Sequence, residues 1–357
     1  MQRPMTFATY ARDVLNAVAF EPDFERPDEQ VFAASLASIR DLARGWIGRR
    51  NALGARLDIE AGFVERMTPN ALADHHGGRH VIVMHQALMA TIVDLCLFLF
   101  TQACVFPSIG DAEGETSPRY HGADVPGLFL LRTTLAGGVI DPAVDHARVP
   151  RDAERHVAAI YMAMLMSRYV WLHELAHCAQ GHVLLLKTHE ADSPLDEVTA
   201  RLDLVGIKSR DRFASLHGLR RSLELEADAV ALDELLAVQL DGRENIPGLQ
   251  AHGDEARMTM ALLGAALMTW LFEEYQSFMD AQHGLSHPTP AQRLGHMIHH
   301  MRAMRSVRAQ HVDALLRQLA ALSGCLPGFD QIQSALIDHD PEAASPLPAE
   351  LDALRFR

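Results

Sequence analysis

A mainly α-helical fold with one small β-sheet or hairpin is what this chain of 357 residues predicts. Three observations carry that expectation. Asp152 to Leu186 and Leu219 to Leu240 repeat apolar residues at helical spacing, with no proline in either stretch and no glycine before Gly181 in the first. Val81 to Phe106 and Met258 to Phe272 are apolar runs of helical length. Leu128-Phe129-Leu130-Leu131-Arg132-Thr133-Thr134 and Val139-Ile140, divided by Gly137-Gly138, read as the two strands of a hairpin.

Taken in order, Thr6 to about Arg56 is expected to be helical, with a break at Pro22 and Pro27 and Asp28 as a cap. Thr68 to Gly78 reads as a loop, and helix resumes over Val81 to Phe106. Pro107 to Gly127 collects glycine, proline, serine and acidic residues, the composition of a domain boundary or a mobile lid. The hairpin follows, then the long helix from Asp152, the helix from Leu219, and a buried helix at Met258 to Phe272. The region from Pro341 to Pro348 is polar and proline-rich and reads as a loosely packed tail. The expected organisation is an N-terminal helical region over 1–107, a polar connection or lid over 108–127, a main domain over 128–325 and a C-terminal tail over 326–357.

Composition narrows the function classes. A formal charge of −14 argues against a general nucleic-acid surface, because neutralising phosphates needs clustered lysine and arginine. The basic residues of 40–50 and 302–308 alternate with apolar ones, as on solvated helix faces. The run from Val81 to Phe106 is interrupted by Gln86, Asp94 and Gln102, and Met258 to Phe272 is short for a bilayer core of about 30 Å, so no membrane insertion is expected. The start, Met1-Gln2-Arg3-Pro4-Met5-Thr6, lacks the basic and apolar stretches of a secretory signal, and the expected location is cytoplasmic. Cys96, Cys104, Cys178 and Cys325 form no C-x-x-C pair, and reduced thiols are the expectation.

The chemistry concentrates in two segments. His173-Glu174-Leu175-Ala176-His177 places two imidazoles four residues apart on one helix face, where both can reach one metal ion. Glu174 lies beside that metal as a general base. The flanking Tyr169-Val170-Trp171-Leu172 and Val183-Leu184-Leu185-Leu186 indicate burial, and buried imidazoles need a partner. Downstream, Glu224-Leu225-Glu226-Ala227-Asp228 lies in a second helix. Alone it reads as an acidic helix face. Paired with the first motif, Glu224 becomes the third ligand of a Zn2+ site with an open fourth position, and Asp228 accepts the second ring N–H of a ligand histidine. On this reading Glu226 points elsewhere.

These two segments, followed by His287-Pro288-Thr289-Pro290-Ala291-Gln292-Arg293, resemble in order the three signatures of gluzincin zinc metallopeptidases of the HtpX and CAAX-prenyl-protease type. The likeness covers roughly residues 152–301, and its third signature is the least specific. A similarity to phage-exclusion peptidases of the Lit type rests on the H-E-x-x-H motif alone. The resemblance implies a zincin-like α+β fold, and it makes His287 a donor to the oxyanion, with Arg293 supporting the site or serving as the second choice of donor. Read without it, Pro288 and Pro290 mark a helix entrance and Arg293 faces solvent. The family commonly spans membranes, which this chain is not expected to do.

The expected reaction is endopeptidase hydrolysis of a peptide or protein. Zinc lowers the pKa of water from about 15.7 toward about 7, and Glu174 takes a proton and returns it to the leaving amine. The alternative is a non-catalytic regulatory or immunity-type protein, stabilised by zinc, that binds a partner protein. His182 lies nine residues after His173, past the helix end at Gly181, and reads as a helix cap or a group behind the ligands. Cys178 reads as a small buried residue. His296, His299 and His300 have spacing that could hold a second metal, with a solvated cluster as the preferred reading.

Overall fold

The computed structural model describes residues 6–115, 125–127, 133, 149–189, 195–196, 210–241, 253–278 and 290–326, and these form a mainly helical fold with one small mixed sheet. The helices are α1 Phe7–Asp13, α2 Gln30–Arg44, α3 Gln86–Phe100, α4 Ala153–Ala179, α5 His182–His189, α6 Arg210–Leu240, α7 Gly253–Phe278, α8 Pro290–Ala303 and α9 Ala309–Leu322. The strands are β1 Ala19–Phe20, β2 Ile59–Val64, β3 Ala71–His76, β4 Arg79–His85 and β5 Leu195–Asp196, in spatial order β1-β2-β4-β3-β5.

Strands β1 to β4 lie N-terminal to the place where the sequence suggested the sheet, and β5 lies C-terminal to it. The expected hairpin at 128–140 falls, but for Val125–Gly127 before it and Thr133, outside the described residues. Residues 71–76, expected in a loop, form β3 and pair antiparallel with β4 from Ala71↔Met84 to His76↔Arg79. Gly77 and Gly78 connect them with φ of 58° and 82°, the two positive values that a two-residue type I′ turn requires. The expected helix from Val81 is strand as far as His85, where the β-branched Val81, Ile82 and Val83 lie.

These strands escaped notice because they are covered on both faces and lack a polar–apolar alternation. Val81, Val83, Leu72 and Val64 pack with Phe7 and Tyr10 of α1 on one face. Ile82, Met84, Ala71, Ala73 and Phe63 face the main core on the other. Strand and helix meet there without a linker, since β4 ends at His85 and α3 begins at Gln86. The junction is fixed to the start of β3 by His85 N donating to Asn70 O at 2.8 Å, and His85 Nδ1 lies 2.6 Å from Thr68 O.

Helix α4 is the axis of the molecule. Its first turn is capped by Asp152, whose carboxylate accepts from the backbone N–H of Glu154 and Arg155, both at 3.0 Å. The helix is buried on nearly every side because α2, α3, α6, α7 and β3 all pack against it. Trp171 is held between Ser35 Oγ, which accepts from its indole N–H at 2.9 Å, and the edge of Phe63. One hydrophobic cluster runs from Leu36 through the sheet, α3, α4 and α7 to Leu326, across the boundaries expected at 107 and 127.

Arg155, fully buried at the start of α4, organises the chain that leaves α3. Its guanidinium donates to the carbonyls of Phe100, Gln102, Val105, Phe106 and Ile109 at 2.8–3.2 Å. Those bonds hold Phe106 at φ 43°, a left-handed conformation that a bulky residue rarely adopts. Among the described residues no helix is long and apolar enough to cross a membrane.

Candidate metal centre

His173 and His177 lie on the same face of α4, one turn apart, with their Nε2 atoms 3.0 Å from each other and their rings nearly perpendicular at 79°. Helix α6 packs along α4 and brings Glu224 against both: Oε2 is 3.2 Å from His173 Nε2, and Oε1 is 3.7 Å from His177 Nε2. All three ligand atoms lie within 4.8 Å of one another, and this is the one group of metal-capable side chains among the described residues. His173, His177 and Glu224 are all buried.

Groups behind these three fix their protonation. Asp228, one turn after Glu224 on α6, has Oδ1 3.0 Å from His173 Nδ1. The same oxygen accepts from Tyr169 Oη at 2.6 Å and from Arg293 Nη2 at 2.6 Å, while Oδ2 accepts from Arg293 Nε at 2.8 Å. Burial pushes the Asp228 carboxyl up, but the charge and paired hydrogen bonds of Arg293, with the bond to His173, outweigh it and hold the group below the ordinary carboxylate range. Asp228 is therefore an anion, and it keeps a proton on His173 Nδ1. His173 Nε2 then presents a lone pair.

His177 is held neutral by burial. Burial lowers its pKa well below the ordinary value, His173 and His182 lower it further, and Glu224 opposes them. Its Nδ1 lies 2.9 Å from Nδ1 of His182, whose Nε2 lies 3.2 Å from Glu226 Oε2. A His177 with Nε2 available to a metal carries its proton on Nδ1 and donates to His182, which donates to Glu226 in turn. Two imidazole lone pairs and a carboxylate then face one buried point. That convergence is repulsive without a cation, so the residues fit a metal ion.

The structure places His182 behind the ligand His177, one of the two positions expected for it, and brings Glu226 to it, which was not expected. Gly181, at φ 80°, ends α4 in the left-handed conformation and turns the chain, so α5 starts by folding His182 back onto His177. A helix continued past Gly181 would have sent His182 away. Glu226 was expected to point elsewhere; it meets His182 because α5 returns to α6 at that level. The signal for both is the Gly181-His182 pair directly after the motif, read as a turn and not as a helix end.

Other predicted residues fall as follows. Glu174 is buried on α4 between the two histidines. Arg293 lies on α8, buried, with Nε and Nη2 committed to Asp228 and its guanidinium 6.0 Å from the Phe272 ring centroid. This is the geometry of a support, and it does not leave those two N–H groups for an oxyanion. His287 lies outside the described residues. Cys178 is fully buried, and its thiol is pushed well up by burial and by the nearby carboxylates of Glu174 and Asp74, so it stays protonated. His300 pairs with Asp233 of α6 at 2.8 Å, which raises its pKa.

Comparison of the chain with protein-family models, with curated proteins and with solved structures finds no match to any of them.

Proposed function

We propose that the chain is a zinc-dependent endopeptidase acting on a peptide or protein substrate. The observation that carries this reading is the convergence of His173, His177 and Glu224, with Glu174 buried on the same stretch of α4. Two imidazoles and one carboxylate suit zinc and leave a coordination position for water or substrate. Zinc bound there would supply a Lewis acid that acidifies water and polarises a substrate carbonyl. Asp228 and His182 keep the two ligand imidazoles in the tautomer that binds. Glu174 accepts the proton of the attacking water and hands it to the leaving amine nitrogen. His287 donates to the developing oxyanion, and Arg293 acts through Asp228.

The test compares the natural chain with its Glu174→Gln variant. Zinc measured by elemental analysis is retained in both, because Glu174 is not a ligand. A proteome-wide search for new N-termini yields cleavage products with the natural chain and none with the variant. Equal cleavage by both would remove Glu174 as the base.

The depth of the cluster favours a second reading. His177 has no exposed surface and His173 and Glu224 have 2% each, as in a closed structural site. On that reading zinc joins α4 to α6 in a regulatory or immunity-type protein that binds a partner protein. It predicts zinc in the purified chain, no new N-termini with either form, and loss of the fold on chelation.

A further inference from the structure

Cys104 and Cys325 stand 221 positions apart in the sequence, yet their Sγ atoms approach to 3.3 Å. Both backbones are fixed where they meet. Gln102 and Val105, on either side of Cys104, give their carbonyls to Arg155 Nη2 at 3.0 Å each, and the Val105 side chain is buried. Cys325 N and Leu326 N both donate to Leu322 O, at 2.8 and 2.9 Å, and Leu326 is buried in the main core. A third tether joins the same two segments: Phe106 N donates to Gln318 Oε1 of α9 at 3.3 Å. The approach of the two sulfurs is therefore imposed by the packing of α9 against the loop after α3. Nothing fits between two sulfurs at that separation.

We propose that Cys104 and Cys325 form a reversible dithiol–disulfide pair that staples the loop after α3 to the end of α9. The order of events follows from surroundings. Cys104 is exposed, whereas Cys325 is half-buried, so an oxidant from solution meets Cys104 first. With a peroxide as oxidant, the Cys104 thiolate attacks one peroxide oxygen, the O–O bond breaks, and the sulfur becomes a sulfenic acid. Cys325 sulfur then attacks Cys104 sulfur, an S–S bond forms and water leaves, so two thiols and one hydrogen peroxide give one disulfide and two waters. With glutathione disulfide the same bond forms through a mixed disulfide, releasing two glutathione thiols. Cys96 and Cys178 take no part, because burial raises both thiols far above the usual range and leaves them protonated.

The full chain, treated with hydrogen peroxide or with graded ratios of glutathione disulfide to glutathione, is denatured, alkylated and analysed by peptide mass spectrometry. The expected product is one internally linked pair of peptides containing Cys104 and Cys325, lighter by two hydrogen atoms, with Cys96 and Cys178 alkylated. Dithiothreitol reverses it. Cys104→Ser and Cys325→Ser each abolish it. The oxidised natural chain unfolds several degrees higher than the reduced one, because the bond closes a very long loop. A stable glutathione adduct or a sulfinic acid on Cys104 with Cys325 still alkylated overturns the proposal, as does a Cys104-linked dimer. None of these outcomes depends on whether the metal centre is catalytic.

Discussion

At Asp228 a single carboxylate serves three partners, the hydroxyl of Tyr169, the guanidinium of Arg293 and the imidazole of His173. Its charge is affordable in the interior only while Arg293 faces it. Replacing Arg293 by Met removes the counter-charge and leaves a buried anion, which costs about 3–5 kcal/mol of stability in urea unfolding. The same variant binds zinc about 10- to 100-fold more weakly in competition with a chelator, since the His173 ring loses its fixed orientation. The double variant Asp228→Asn with Arg293→Met regains part of the stability, because no lone charge remains, but not the affinity. A cost under about 1 kcal/mol for Arg293→Met would mean that other groups carry the charge, and the role given to Arg293 would fall.

Gly181 shows how one element end can position a site. A Cβ there would sit 2.7 Å from Leu53 Cγ, and φ of 80° is strained for any residue with a side chain. Gly181→Ala is expected to cost about 1–2 kcal/mol from the backbone alone, and to weaken zinc binding by moving His182 off His177. His182→Ala gives the affinity loss without the backbone cost, and the two variants compared in unfolding and metal titrations separate the effects. The juxtaposition of His173 and His177 was legible from sequence because four-residue spacing on one helix is local geometry. The helix end at Gly181 was legible too, but the direction of the turn was not, since an uninterrupted period says nothing about the angle at which the next helix departs. Strands β2 and β3 were missed for a different reason. Ala71–His76 contains alanine, aspartate and histidine in place of the usual strand formers, Ile59–Val64 is interrupted by Glu60, Ala61 and Gly62, and burial on both faces erases the alternation.

Among the described residues, the largest apolar cluster and the candidate metal group of His173, His177 and Glu224 share the same axis, helix α4. Bringing Glu224 to His173 depends on the packing of α6 along α4, which the sequence suggests through motif order and which only a folded core enforces. Metal removal is therefore expected to act on the entire fold. With free zinc at about 1000-fold over its dissociation constant, binding contributes about 4 kcal/mol, and a chelator should lower the calorimetric midpoint by roughly 5 °C. The transition should stay single, because among the described residues the apolar cluster from Leu36 to Leu326 is continuous. A midpoint unmoved by chelation would separate the metal from folding. The direct passage from β4 at His85 into α3 at Gln86 has a consequence of its own. With no slack between them, sliding β4 by one position along β3 would spin α3 by about 100° and turn its buried side chains outward. Alignment of the sheet and orientation of its neighbouring helix are thus one decision, and a nascent chain that makes it wrongly has to undo both together.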